Sequence, residues 1–150
     1  MLELKDVSVV FNEGTVNEKV ALNNINLALD KGDFVTIIGS NGAGKSTLFQ
    51  AISGAVDTKR GNIILNGRDI TFEPEYKRSK GIGRLFQDPL KGTAPNMTIE
   101  ENLHLSNQRG KHFSLSLMSH RHREEFKKAL MELELGLEER LDSKVGLLSG

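Results

Sequence analysis

The chain has 150 residues, enough for one domain with its own core. Hydrophobic residues make up 37% and charged residues 27%, the balance of a folded globular chain rather than a disordered one. Twenty basic side chains cancel twenty acidic ones, which argues against bulk attraction to nucleic acid or to an anionic membrane, and the lack of cysteine excludes disulfides, Cys–zinc sites and iron–sulfur clusters within the chain.

The elements follow in chain order. "LELKDVSVVF" alternates Leu2, Leu4, Val7 and Val9 with polar neighbours, with one slip in phase near Asp6, and predicts a half-buried strand. A polar loop, "NEGTVNEK", leads to a second alternating strand, with Ala21, Asn23, Ile25, Leu27 and Leu29 expected on one face. After a turn at Asp30–Asp33, "FVTIIG" is a continuous apolar run, the kind of strand buried on both faces of a parallel sheet. In "STLFQAISGA", Leu48, Phe49 and Ile52 have helical spacing and Gly54 is a stop. Asn66-Gly67 predicts a hairpin inside "GNIILNGRDI". "GIGRLFQ" predicts a short strand. Thr98, with Glu101 three residues on, predicts a capping box opening a helix. "RHREEFKKALMELEL" predicts a second helix with Phe126, Leu130, Leu133 and Leu137 on one stripe. No apolar run nears the ~20 residues needed to span a bilayer. The start, "MLELKDVSVV", has no apolar core of a signal peptide, so a cytoplasmic location is expected.

One motif carries chemistry. Gly39, Gly44, Lys45 and Ser46 match G-x-x-x-x-G-K-[ST], set between an apolar run and a helical pattern. Glycines let the backbone wrap closely around a phosphate, and successive N–H groups turn into the concavity so formed. The helix beginning near Lys45 adds its positive end. The Lys45 ammonium is suited to the β- and γ-phosphates and the Ser46 hydroxyl to Mg²⁺. Ser40, Asn41, Gly42 and Ala43 complete the loop, and Thr47 follows as a donor to an outer phosphate oxygen.

"DKGDFVTIIGSNGAGKSTL" resembles the nucleotide-binding subunit of an ATP-binding cassette (ABC) transporter. Further landmarks stand in the order that family shows: "GNIILNGRDIT" resembles the hairpin after the phosphate-loop helix, "GIGRLFQDP" followed by "NMTIEENL" resembles the Q-loop region, and the final "LLSG" resembles the opening of the LSGGQ signature. The resemblance covers the whole chain. It implies an α/β fold: a P-loop NTPase core with an antiparallel β subdomain and the start of an α-helical subdomain, incomplete at the C-terminus, with residues 1–150 forming the N-terminal portion of a single ATPase domain.

The resemblance also implies roles. Phe11 stands at the aromatic position that would stack on adenine, although many members carry Tyr there, and Val20 would line the other side of the base. Gln87 would reach Mg²⁺ and the attacking water, and Asp88 to Met97 would lie near the groove that receives a permease helix. Ser149 and Gly150 would contact the γ-phosphate of ATP held on the opposite subunit of a head-to-tail dimer. The cofactors are then ATP and Mg²⁺. The partners are transmembrane permease subunits and a second copy of the ATPase, with no nucleic acid. The location is the inner face of the cell membrane, reached only through the permease. The leading expectation is an importer of amino acids, with the group assigned to tryptophan and tyrosine closest in look. The alternatives are a soluble ABC ATPase acting on ribosomes or DNA, and a non-hydrolysing nucleotide-binding relic.

Water activation in this family needs an aspartate and a glutamate after an apolar strand, and no apolar run ending in "DE" occurs by Gly150. The chain is therefore expected to be a partial sequence: poorly soluble, with its phosphate-loop strand exposing unpaired edges and apolar faces, weak in nucleotide binding and unable to turn over ATP alone. "SHRHREEFKK" reads as a solvated helix start rather than a metal or nucleic-acid patch, because His120 and His122 are two residues apart and do not share a helix face. His104 and His112 read as isolated.

Overall fold

The computed structural model describes residues 1–108 and 120–148. The chain divides into two compact units, Met1–Ile82 and Gly83–Gly150.

The first unit is built on a four-stranded antiparallel sheet, with β1 (Leu2–Phe11), β2 (Lys19–Leu29), β3 (Arg60–Leu65) and β4 (Arg68–Asp69) in the order β2-β1-β3-β4. The phase slip read at Asp6 is a bulge: Asp6 has φ 52°, and the pairing with β2 jumps between Leu4 and Val7. It lets Leu4, Val7 and Val9 all point into the core, where each side chain contributes about 1.5–3 kcal/mol by leaving water. A second irregularity corrects the expectation for β2. Asn24 adopts φ 49° and the register shifts there, so Leu22 is buried and Asn23 exposed, while Ile25 and Leu27 pack against the core. Strict alternation fails wherever one strand carries an extra residue.

The hairpin forms at Asn66 (φ 51°) and Gly67 (φ 78°), the left-handed pair that a two-residue turn needs between twisted strands. The helix α1 (Lys45–Ser53) ends at Gly54, whose φ of 81° lets its N–H cap the carbonyls of Ala51 and Gln50. Leu48 and Ala51 of this helix are buried, whereas Phe49 is half exposed. A short helix α2 (Glu75–Arg78) follows the hairpin.

Two expected strands are not strands. Residues 33–40 join no strand ladder, and Phe34 and Ile38 are 94% and 90% exposed. Residues 82–86, within "GIGRLFQ", are likewise unpaired. An apolar run states that a segment needs cover; it becomes a strand only when another strand offers its N–H and C=O groups. No described strand does so. The exposure expected of the phosphate-loop strand is what the structure shows; the burial on both faces is not.

The second unit holds α3 (Ile99–Asn107) and α4 (His120–Met131), together with 3₁₀ turns at Pro89–Gly92, Leu137–Glu139 and Val145–Leu147. The capping box is present: the Thr98 hydroxyl accepts from Glu101 N–H at 3.1 Å and the Glu101 carboxylate accepts from Thr98 N–H at 2.7 Å. Asn102 pins the entry loop, accepting from Ala94 N–H at 2.7 Å and donating to the carbonyls of Ala94 and Thr98. Ile99, Leu130 and Leu141 form a small core joined by Leu103, Leu137, Val145 and Leu148. Arg123 of α4 pairs with the buried Glu100 of α3 and, through both η nitrogens, with Asp142 at 3.0 and 2.7 Å. That guanidinium holds the Asp142 carboxyl below the usual aspartate value. The stripe expected to reach Leu137 on one helix is broken, because α4 stops at Met131 and Glu134 and Gly136 take positive φ. Leu133 is exposed, and Leu137 reaches the core from a 3₁₀ turn instead. Among the described residues no helix is long and apolar enough to cross a membrane.

Candidate nucleotide site

The glycine loop, residues 39–44, sits in the first unit and runs directly into α1. Its turn is closed by Ala43 N–H on the Ser40 carbonyl at 3.2 Å. Gly42 has φ 85° and Gly44, the N-cap of α1, has φ 88°. No side chain caps this helix start, and its first turn carries no acidic residue. The first N–H groups of α1 and the positive end of its dipole are therefore available to an anion.

Gly44 is fixed by what surrounds it. A Cβ there would lie 2.6 Å from the Ala21 carbonyl oxygen and 3.2 Å from Leu22 Cδ2. Only glycine allows both the left-handed turn and this close approach to β2. The neighbours Ala21 and Leu22, which the motif does not reveal, thus anchor the base of the loop. At Gly42 a Cβ would meet nothing within 4 Å, so the loop wall is open on that side.

The Lys45 ammonium donates to the carbonyls of Gly39 at 2.7 Å and Ser40 at 2.8 Å. These bonds fold the side chain back over its own loop and hold its charge at the mouth of the concavity. Ser46 lies exposed in the first turn of α1, with Thr47 beside it. A cradle of backbone donors, one fixed ammonium and no nearby carboxylate on the helix suits a polyphosphate. The Ser46 hydroxyl is a single neutral hard oxygen. That suits Mg²⁺, which takes few protein ligands and completes its octahedron with phosphate oxygens and water. No group of three or more metal-ligating side chains occurs among the described residues.

The remaining expected site residues are distributed as follows. Phe11 ends β1 and packs against the sheet core. It pairs with Lys19, while Val20 pairs with Val10, so the ladder sends Phe11 and Val20 to opposite faces and Val20 is exposed. The structure does not bring these two onto one face. Gln87 is exposed and belongs to the second unit, after an unpaired stretch rather than at a strand end. Ser149 and Gly150 lie outside the described residues.

Comparison with known proteins gives the chain a family. A family model described as ABC transporter matches residues 22–150. A tyrosine transport ATP-binding protein of Clostridioides difficile (strain R20291) is 39% identical over the whole chain, which covers 60% of that relative. A phosphonates import ATP-binding protein of Lactobacillus gasseri is 46% identical over 92 residues, 58% of this chain and 33% of the relative. Among solved structures, a dimeric ATP-binding cassette in a post-hydrolysis state, bound to ADP and Pi, superposes with a TM-score of 0.76 at 28% identity, over 99% of this chain and 63% of that one. The chain thus spans about three fifths of the length of the relative it matches end to end.

Proposed function

This chain belongs to the ABC transporter family, and on that premise we propose that it binds ATP with Mg²⁺ as part of a subunit that powers solute import. The observation that carries the reading is the Lys45 ammonium held at the mouth of the glycine loop by the Gly39 and Ser40 carbonyls. The residues from Gly39 to Thr47 would hold the phosphates, with Lys45 at the β- and γ-phosphates and Thr47 at an outer oxygen. Ser46 would hold Mg²⁺, which when bound draws off charge from the phosphates, and the family resemblance alone assigns Gln87 to the same ion. Gln87 would orient the attacking water. Phe11 would meet the adenine face. Because Val20 and Phe11 point to opposite faces of the sheet, any contact Val20 makes with the base comes from a separate direction.

In a complete protein of this family, two such subunits would close head to tail on two ATP molecules, with Ser149 and Gly150 of each reaching the nucleotide of the other. A dimeric similar cassette supports this. Each nucleotide has contacts on both sides only in the closed state, so ATP favours closure, and closure would drive permease subunits at the cytoplasmic face of the membrane. A tyrosine transport relative aligned along the whole chain supports an amino acid as the solute; a phosphonate importer that also aligns keeps import, rather than its cargo, as the better supported part. Hydrolysis also needs a group to position or deprotonate water. No residue of this chain stands in that family position, so the 150-residue chain is proposed to bind without turnover.

Calorimetry with Mg²⁺–ATP tests the reading. The expected result is saturable binding that Lys45→Ala weakens by at least about tenfold, the scale of losing one charge-assisted contact. An affinity unchanged by Lys45→Ala overturns the assignment of the loop. Steady phosphate release by the purified 150-residue monomer overturns the proposed lack of turnover.

A further inference from the structure

We propose that Arg78 is a positioning residue for the nucleotide loop, clamping the far end of α1 so that the loop at its near end is held in place. The inference rests on the nucleotide reading above for its consequence, but its geometry is independent of it.

Arg78 is 3% exposed, the most deeply buried charged side chain of the first unit. Its guanidinium spends its donors on backbone carbonyls alone. Nη1 donates to Ala51 at 2.7 Å and Ile52 at 3.1 Å, Nη2 to Thr71 at 2.6 Å and Nε to Glu73 at 2.7 Å. Burial pulls its pKa below the usual arginine value, and the charges of Glu73, Asp57 and Asp69 oppose that shift. A buried cation is costly unless a specific arrangement requires it. Here the arrangement is a three-way joint. Ala51 and Ile52 belong to the last turn of α1, whose carbonyls form the negative end of the helix dipole. Thr71 belongs to the end of the hairpin: its hydroxyl accepts from Ile63 N–H at 2.8 Å and bonds the Asp69 carboxylate. Arg78 itself lies on α2. A planar fork with five donors can span these partners at once; an ammonium cannot.

Gly54 supplies a second observation. It caps α1, and a Cβ there would lie 2.8 Å from Arg78 Nε and 3.1 Å from Cζ. The helix therefore ends in a residue that both turns left-handed and leaves room for the guanidinium. The helix α1 is nine residues long, roughly 13 Å of rigid rod, with the clamp at one end and Lys45 at the other. Tilting the clamped end displaces the loop, and a displacement near 1 Å at a reacting site costs on the order of a hundredfold.

The test compares wild type with Arg78→Lys and Gly54→Ala in the full chain. It reads amide hydrogen exchange along residues 39–47, protection in β3–β4, melting temperature and Mg²⁺–ATP affinity. Arg78→Lys keeps the charge and loses the fork; Gly54→Ala keeps the arginine and displaces it. The expected result for both is exchange in residues 39–47 faster by about tenfold while β3–β4 stays protected, with ATP affinity weakened by about tenfold. The exchange readout needs no nucleotide. If wild type and Lys45→Ala bind ATP alike but the loop still loosens in the Arg78 variant, the nucleotide reading fails and the clamp stands. If ATP binding depends on Lys45 yet loop exchange is unchanged, or exchange rises evenly through the unit with the melting temperature, the clamp is overturned and Arg78 is a stability cap. Where Arg78→Lys does not fold, Gly54→Ala decides by the same readouts. Failure of both to fold also counts against the inference.

Discussion

Strand β1 and the stretch 34–38 have similar chemistry and opposite fates. Both are rich in Val, Ile, Leu or Phe. Val7 and Val9 of β1 are buried between partners on both edges, β2 and β3. Phe34 and Ile38 stand in solvent, and only Ile37 of that stretch packs against the core. Leu85, in the other unpaired stretch, is 99% exposed. Apolar content sets how much a segment gains from burial; the neighbours that come to it decide whether it is buried. The segments that close on partners within the chain form the β unit and the small helical core.

The sharpest way to break this comparison is to remove the same atoms from each side of it. Ile63 on β3 is fully buried, and Ile63→Ala is expected to cost about 2–5 kcal/mol in urea unfolding. Ile38→Ala is expected to stay within about 0.5 kcal/mol. Equal costs would show that 34–38 is packed in solution, and the comparison would fail. A smaller effect tests a local closure. Thr98→Ala removes one half of the capping box of α3 and should cost about 1 kcal/mol, read in the unfolding of the helical unit, whereas Thr98→Ser should restore most of it.

The smallest expected effect is a pH dependence. Hydrogen bonds from the Thr71 hydroxyl first and Thr71 N–H second hold the Asp69 carboxyl below its usual value, against the opposing effect of burial and with lesser help from Asn62 and Arg78. A carboxyl whose folded pKa is depressed stabilises the fold fully above its unfolded value, near pH 4, and loses that contribution as pH falls through the lower folded value. Unfolding free energy should therefore fall with acidification below about pH 4, and Asp69→Asn should flatten that part of the profile. Asp69 is exposed, so solvent screens the effect. An identical profile in Asp69→Asn would remove Asp69 from the hairpin's support.

Much of the candidate site was legible because its signals are local. Glycines at 39 and 44 with Lys45 and Ser46 specify a turn, a helix start and a charge through contacts only a few residues apart. The same holds for the Asn66-Gly67 turn, the Thr98–Glu101 box and the stop at Gly54. The slip at Asp6 was visible because alternation holds on both sides of it but in opposite phase. The matching slip at Asn24 was not, because Ala21-Leu22 offers two apolar residues and the ladder chooses between them. Arg78 sits in "KRSK", where no local pattern sets it apart from its basic neighbours. His104 and His122 look unrelated in sequence, yet their rings lie 5.8 Å apart across α3 and α4.

By itself, then, the sequence determined the phosphate loop, its helix, the hairpin and the helix caps, since each is settled by φ preferences and hydrogen bonds within one or two turns of chain. Tertiary structure alone decided which apolar stretches found strand partners, which face of β2 turned inward, that Phe11 and Val20 part to opposite faces, and that one arginine is buried at the end of α1. Those outcomes depend on which segments meet across tens of residues, where burial and pairing are properties of the encounter rather than of either segment.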